Sequence, residues 1–232
     1  MSMHRFAISS LAAVAALATS GGLHAAGAAD VSTPVYKAPV IPVVEEQSPW
    51  QIRVRALYVM PTDSGSVDQI PGSDLDYSDA VVPELDITYY FTKNWAAELI
   101  LAVTPHDISG AGTIDALGKV GEVWLLPPTL TLQYHFTDFG AFKPYVGAGV
   151  NYTFFFDQSA KGAATDIDVK GAWGFALQAG FDYMIDEHWG FNVDVKKIFL
   201  EPDFDIDVAG AALNGKADLN PWLIGVGVTY RF

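Results

Sequence analysis

Arg53 and Arg55 lie two residues apart in a run whose intervening positions are Ile52, Val54 and Ala56. Side chains of a strand alternate between faces, so such a run places both guanidinium groups on one side and an apolar stripe on the other. The arrangement recurs along the chain. Glu84 and Asp86 oppose Leu85 and Ile87; Glu98 opposes Leu99; Asp182 opposes Phe181 and Tyr183. Asp194 and Lys196 oppose Val193 and Val195, and Arg231 opposes Tyr230 and Phe232. Charges of both signs on one set of faces suit mutual pairing in an enclosed interior. They could act as a polar plug against water and ions, or as an ion-pair network that supports the fold; the residues allow both.

Other chemistry finds little footing. Cysteine is absent, so disulfides and thiolate metal sites are excluded. His106, Asp107 and Ser109 lie close in sequence, but nothing around them forms a nucleophile–base motif, and the chain is not expected to be an enzyme. Asp203, Asp205 and Asp207 offer carboxylates to a hard cation but lack a calcium-loop pattern. Neither a metal nor a cofactor is expected. A formal net charge of −14 argues against a nucleic-acid partner.

The elements that must position the charged faces are strands. The last eleven residues, Trp222 to Phe232, alternate with Trp222, Ile224, Val226, Val228, Tyr230 and Phe232 on one face. About 9–11 residues is what a tilted strand needs to cross a bilayer. Seven more such segments are read at about 50–60, 83–91, 95–104, 123–136, 144–156, 171–185 and 189–199. Their connectors alternate, short then long. The short ones are 92–94, 137–143 and 186–188. The long ones are about 61–82, 105–122, 157–170 and 200–221, and carry sixteen carboxylates against four lysines. This predicts an all-β fold: an eight-stranded antiparallel transmembrane barrel with short periplasmic turns and long extracellular loops. A soluble eight-stranded barrel would carry its apolar face inside. Here the charges are the set that must pair within, and Trp and Tyr end the apolar stripes as interfacial girdles do.

Residues 1–29 read as a secretory signal peptide, with an apolar core over 6–18 and cleavage near 25–29. Residues 30–49 contain Pro34, Pro39, Pro42 and Pro49 and read as an extended periplasmic leader. The barrel occupies 50–232. Its expected place is the outer membrane of a Gram-negative bacterium.

Particular segments carry a family resemblance. They are Leu126-Pro127-Pro128-Thr129-Leu130, Pro144-Tyr145-Val146-Gly147-Ala148-Gly149-Val150-Asn151-Tyr152, Phe155-Phe156-Asp157, Phe181-Asp182-Tyr183 and the close from Asn220-Pro221-Trp222 to Tyr230-Arg231-Phe232. Over about residues 50–232 the chain resembles the OmpW family of small outer-membrane barrels. The resemblance implies strands that rise above the membrane around an apolar outer pocket, and passive entry of small hydrophobic solutes. Tyr230 and Phe232 resemble the terminal aromatic signal read by the outer-membrane barrel assembly machinery, which joins outer-membrane lipids as an implied partner. Trp124, Leu125 and Leu126 are expected to line the apolar mouth with Leu57, Val59 and Leu223. Proline cannot donate to a ladder. Pro127 and Pro128 near the outer boundary therefore mark either a lateral exit to the bilayer or a plain bend. The alternative function is a surface barrel that binds partners through its acidic loops without transport.

Overall fold

The structure, a computed structural model, describes residues 48–62 and 64–232. The signal peptide expected over 1–29 lies outside the described residues, as does the leader as far as residue 47. The last two leader residues are tied to the barrel: the Ser48 amide donates to the Phe232 carbonyl, and the Pro49 carbonyl accepts from the Tyr90 amide.

In chain order the strands are β1 (Trp50–Met60), β2 (Gly65–Val67), β3 (Ser73–Tyr77), β4 (Ala80–Tyr90), β5 (Trp95–Ala102), β6 (Thr104–Gly112), β7 (Lys119–Leu126), β8 (Thr129–His135), β9 (Phe142–Ala160), β10 (Ala164–Val169), β11 (Ala172–Met184), β12 (Trp189–Phe199), β13 (Asp203–Val208), β14 (Ala211–Ala217) and β15 (Trp222–Arg231). Eight of them close an antiparallel ring in the order β1-β4-β5-β8-β9-β11-β12-β15, with β15 returning to β1. Closure pairs the backbone groups around the ring, as a hydrocarbon surround requires. Exposed Val54, Leu85, Leu99, Leu130, Leu132, Val146, Val150, Leu177, Val226 and Val228 form the outer band. At the end bearing the short turns, rings pack edge to face: Trp50 on Tyr89, Trp95 on Tyr134, and Trp189 on Tyr230. These form one girdle. Tyr152 against Trp173, and Trp124 near Phe156, belong to the other.

The long connectors are not irregular loops. They carry most of β2, β3, β6, β7, β10, β13 and β14, and the upper end of β9. The walls continue past the outer girdle because the sequence there still alternates; only the sign of the inner face changes. One upper wall is β3-β6-β7-β9 and the other is β10-β13-β14-β2. Side chains stitch the walls together. Gln158 takes the place of a strand, donating to the Val169 carbonyl at 3.1 Å and accepting from its amide at 2.6 Å. On the far side the Gly65 amide donates to Asp74 and the Val67 amide to Ser73.

Within the membrane band the ring is filled by a buried ionic network. Arg53, fully buried, forks onto Asp182 through Nε at 3.0 Å and Nη2 at 2.6 Å, and its Nη1 pairs with Glu98. Arg55 reaches Glu84 and Asp86 at 2.7 Å each and Asp194 at 3.5 Å. Lys196 joins Asp194 at 2.7 Å and Glu84 at 3.0 Å. Five carboxylates thus face three cations, and neutral donors bond to three of the five, Glu98, Asp182 and Asp194. Gln178 Nε2 donates to Glu98 and Asp194, the Tyr145 hydroxyl to Asp194, and Thr229 to Asp182. Arg231 departs from the expected set. It lies over the Tyr90 ring at 3.7 Å and donates to the Ser48 carbonyl, because its position at the end of β15 is below the carboxylates.

Arg55 is the sole ion-pair partner of Asp86 among the described residues. Arg55→Met should therefore strand a buried carboxylate and cost about 3–5 kcal/mol. The urea midpoint of the refolded protein in lipid vesicles reads this; an unchanged midpoint would mean a wet lumen. Gly227 on β15 faces Arg55, and a Cβ there would stand 2.6 Å from the Arg55 Cα. Gly227→Val should prevent β1 from closing on β15 and abolish the heat-modifiable gel shift of the folded barrel.

Candidate functional site

The inner face of each strand changes character at one level. Along β1 the inward side chains run Gln51, Arg53, Arg55, then Leu57 and Val59. Along β12 they run Asn192, Asp194, Lys196, then Ile198. On β4, Asp86 and Glu84 give way to Val82 and Ala80. Above that level the two upper walls enclose a cavity of about 1060 Å³, including its open mouth.

Glu84 and Lys196, paired to each other, form its floor with Thr129 and Thr153. Its walls are apolar. Leu75 and Ile108 stand on one side, Ile167, Phe204 and Ile206 on the other, and Ile198, Leu200 and Leu219 close the third. The floor is sealed by the ionic network, whose members are all buried and engaged with one another. The axial path is therefore blocked by charge, while the space above it repels water.

The expected mouth residues divide. Leu57, Val59, Leu125, Pro127 and Leu223 line the cavity. Trp124, Leu126 and Pro128 do not. Trp124 is 40% exposed on the outer face beside Phe156. The cause is parity: the alternation of β8 carries through both prolines into β7, so every second residue from Phe136 back to Trp124 points outward. The lumen residues Arg53, Arg55, Glu84, Asp86, Glu98, Asp182, Asp194 and Lys196 come together below the cavity, and Arg231 stays apart at the opposite end. Tyr230 and Phe232 stack at 4.9 Å on the periplasmic girdle.

The prolines interrupt two seams unequally. Toward β9 the register stops at Thr129 opposite Asn151 and resumes at Leu126 opposite Phe154. There the Tyr152 amide donates to the Pro128 carbonyl, and Asn151 Nδ2 donates to the Pro127 carbonyl at 3.2 Å. Toward β5 and β6 the register stops at Ile100 opposite Thr129 and resumes at Thr104 opposite Leu125. Neither proline can donate there.

His106 was placed in an outer loop from sequence. It is on β6, turned inward among the cavity residues, while Asp107 faces outward and Ser109 shares that face. The three do not converge. The signal for its inward position was the uninterrupted alternation Thr104, His106, Ile108.

The model of the OmpW family matches residues 46–232. The uncharacterized outer-membrane protein y4mB of Sinorhizobium fredii is 59% identical over 213 residues, covering 89% of this chain and 90% of that one. The dibenzothiophene metabolism operon protein PahQ of Pseudomonas aeruginosa is 29% identical over 196 residues, covering 82% of this chain and 92% of that one. The crystal structure of the outer membrane protein OprG from Pseudomonas aeruginosa superposes with a TM-score of 0.74 at 30% identity, over 81% of this chain and 97% of that one. The chain belongs to the OmpW family and is an outer-membrane β-barrel protein.

Proposed function

We propose that the barrel gives small hydrophobic molecules passive entry across the outer membrane, through the apolar cavity and sideways into the bilayer. The carrying observation is the abrupt change at the cavity floor. An apolar solute entering from outside leaves water for an apolar wall, which favours entry by about 25 cal/mol per Å² removed from water. It then meets Glu84 and Lys196, where going deeper means parting buried ion pairs at several kcal/mol. Lateral movement avoids that cost.

The seam between β5/β6 and β7/β8 is the proposed exit. It lacks register over 101–103 and 126–128, and Pro127 lines the cavity at that height. Leu126 and Pro128 on the outer face would meet the solute as it leaves. PahQ, by its name, belongs to an operon for metabolism of dibenzothiophene, a flat apolar molecule. That association agrees with a hydrophobic solute. Tyr230 and Phe232 are proposed to serve assembly rather than transport, as the terminal strand that the barrel assembly machinery engages.

Uptake into liposomes carrying the refolded protein tests this reading. A small apolar solute should enter and a sugar of similar size should not. Replacing Pro127 and Pro128 with valine restores one donor to each seam, residue 127 facing β5/β6 and residue 128 facing β9. One recovered ladder bond is worth about 1 kcal/mol, so apolar uptake should slow by about fivefold. Unchanged uptake would remove the lateral exit. Entry of the sugar would mean an open lumen, and entry of neither would leave a surface barrel whose acidic loops face partners.

A further inference from the structure

Most of the cavity wall is apolar, and His106 is among its few polar side chains, with Tyr77, Thr104, Thr129 and Thr153. His106 is 6% exposed and lines the cavity from β6. Its Nδ1 lies 2.7 Å from the Ser78 carbonyl oxygen. Ser78 is itself fixed by Asp107: its amide donates to the Asp107 carbonyl at 3.1 Å, and its hydroxyl accepts from the Asp107 amide at 2.8 Å. A carbonyl oxygen can only accept, so Nδ1 carries the proton.

His106 stands one residue beyond the level of Trp124, above the membrane-spanning part of the barrel. Burial lowers its pKa below the usual imidazole value, against the opposing pull of the Ser78 carbonyl, Asp79 and Asp107. The ring is therefore neutral, and its second nitrogen, Nε2, is a bare acceptor. With Nδ1 committed to the wall, Nε2 is the nitrogen left to the cavity. Among the described residues nothing donates to it. Val123, its cross-strand partner on β7, and Ile108 bring no donor of their own, while the hydroxyl-bearing Tyr77 and Thr104 also line the cavity.

We propose that the cavity selects apolar molecules bearing a hydroxyl group, such as phenols and fatty alcohols, whose O–H donates to His106 Nε2. A pure hydrocarbon covers that lone pair without satisfying it. An ether does the same, because its oxygen cannot donate. The proposal rests on the cavity being the solute site of the transport reading and makes His106 its specificity residue.

The test uses the full-length refolded barrel in detergent and calorimetric titration with 1-naphthol, 1-methoxynaphthalene and naphthalene. The wild type should bind 1-naphthol about tenfold more tightly than the other two, the worth of one hydrogen bond made away from water. His106→Phe should erase that preference while leaving the affinity for 1-methoxynaphthalene in place. His106→Gln, which keeps an acceptor oxygen, should retain it. A preference that survives in His106→Phe overturns the assignment. Equal binding of all three by the wild type overturns it too, while leaving the cavity as a solute site. Binding of none overturns both readings.

Discussion

Arg53 and Arg55 stand on adjacent inward positions of β1, and the barrel interior is arranged around their charge. Each is buried and reaches carboxylates on other strands: Arg53 to Glu98 on β5 and Asp182 on β11, Arg55 to Glu84 and Asp86 on β4 and to Asp194 on β12. These links run across the lumen as well as between neighbours. Desolvating such ions costs several kcal/mol each, so the network is weak evidence for stability in itself. What it fixes is arrangement. Slipping one strand by one residue would turn its charges into lipid and its apolar stripe into the lumen. The small residues opposite are part of the same constraint: Gly225 and Gly227 on β15 leave the width that the Arg55 side chain occupies.

That network also makes the cavity what it is. A polar interior continued to the outer end would leave a wet vestibule. An apolar interior continued inward would leave no floor. The change between Arg55 and Leu57 on β1, repeated on β4 and β12, divides one tube into a closed half and an open half. Lys196 sits at the division, bonded downward to Asp194 and sideways to Glu84. The two halves have different solvents outside as well. The charged half is wrapped by the lipid band, and the apolar half rises beyond the outer girdle, where Lys119 pairs with Asp107 and Glu122 on the exposed surface.

The strands of the ring were legible because each is half apolar with a period of two. β1 and β12 fall where the alternation starts and stops. The upper walls were expected as strands only from the family resemblance and not from the residues themselves, although the same period runs through Thr104, His106 and Ile108 and through Phe204 and Ile206. There the glycines, prolines and aspartates suggested loops, and an apolar inner face opposite aspartates looked like the solvated surface it partly is. Pairing with distant segments, such as β14 with β2, decides the matter, and no local pattern encodes it. Trp124 and Leu126 are a different case. Parity counted through Pro127 and Pro128 places both outward. Three consecutive residues, Trp124, Leu125 and Leu126, cannot all face one side of a strand, and the prolines remove donors while leaving the side-chain alternation intact. Arg231 obeys parity, but depth separates it from the network, and depth depends on strand tilt.

The seam at the prolines shows how a barrel can be weak in one place without an open edge. An unpaired backbone group facing hydrocarbon is costly, so a plain gap in the ladder would not survive. On the β9 side the carbonyls freed by the prolines are taken by Asn151 and the Tyr152 amide, and Asn151 is held in turn by Thr153. That side is closed by one backbone bond and one side-chain bond. On the β5/β6 side Pro127 simply has no N–H to leave unsatisfied, so the missing bond carries no donor penalty from that strand. Separating the strands there breaks fewer bonds than anywhere else along β7 and β8. On the proposed lateral exit, that asymmetry would keep the barrel sealed to water yet let it yield to an apolar solute, which itself would shield the parted backbone while it passed.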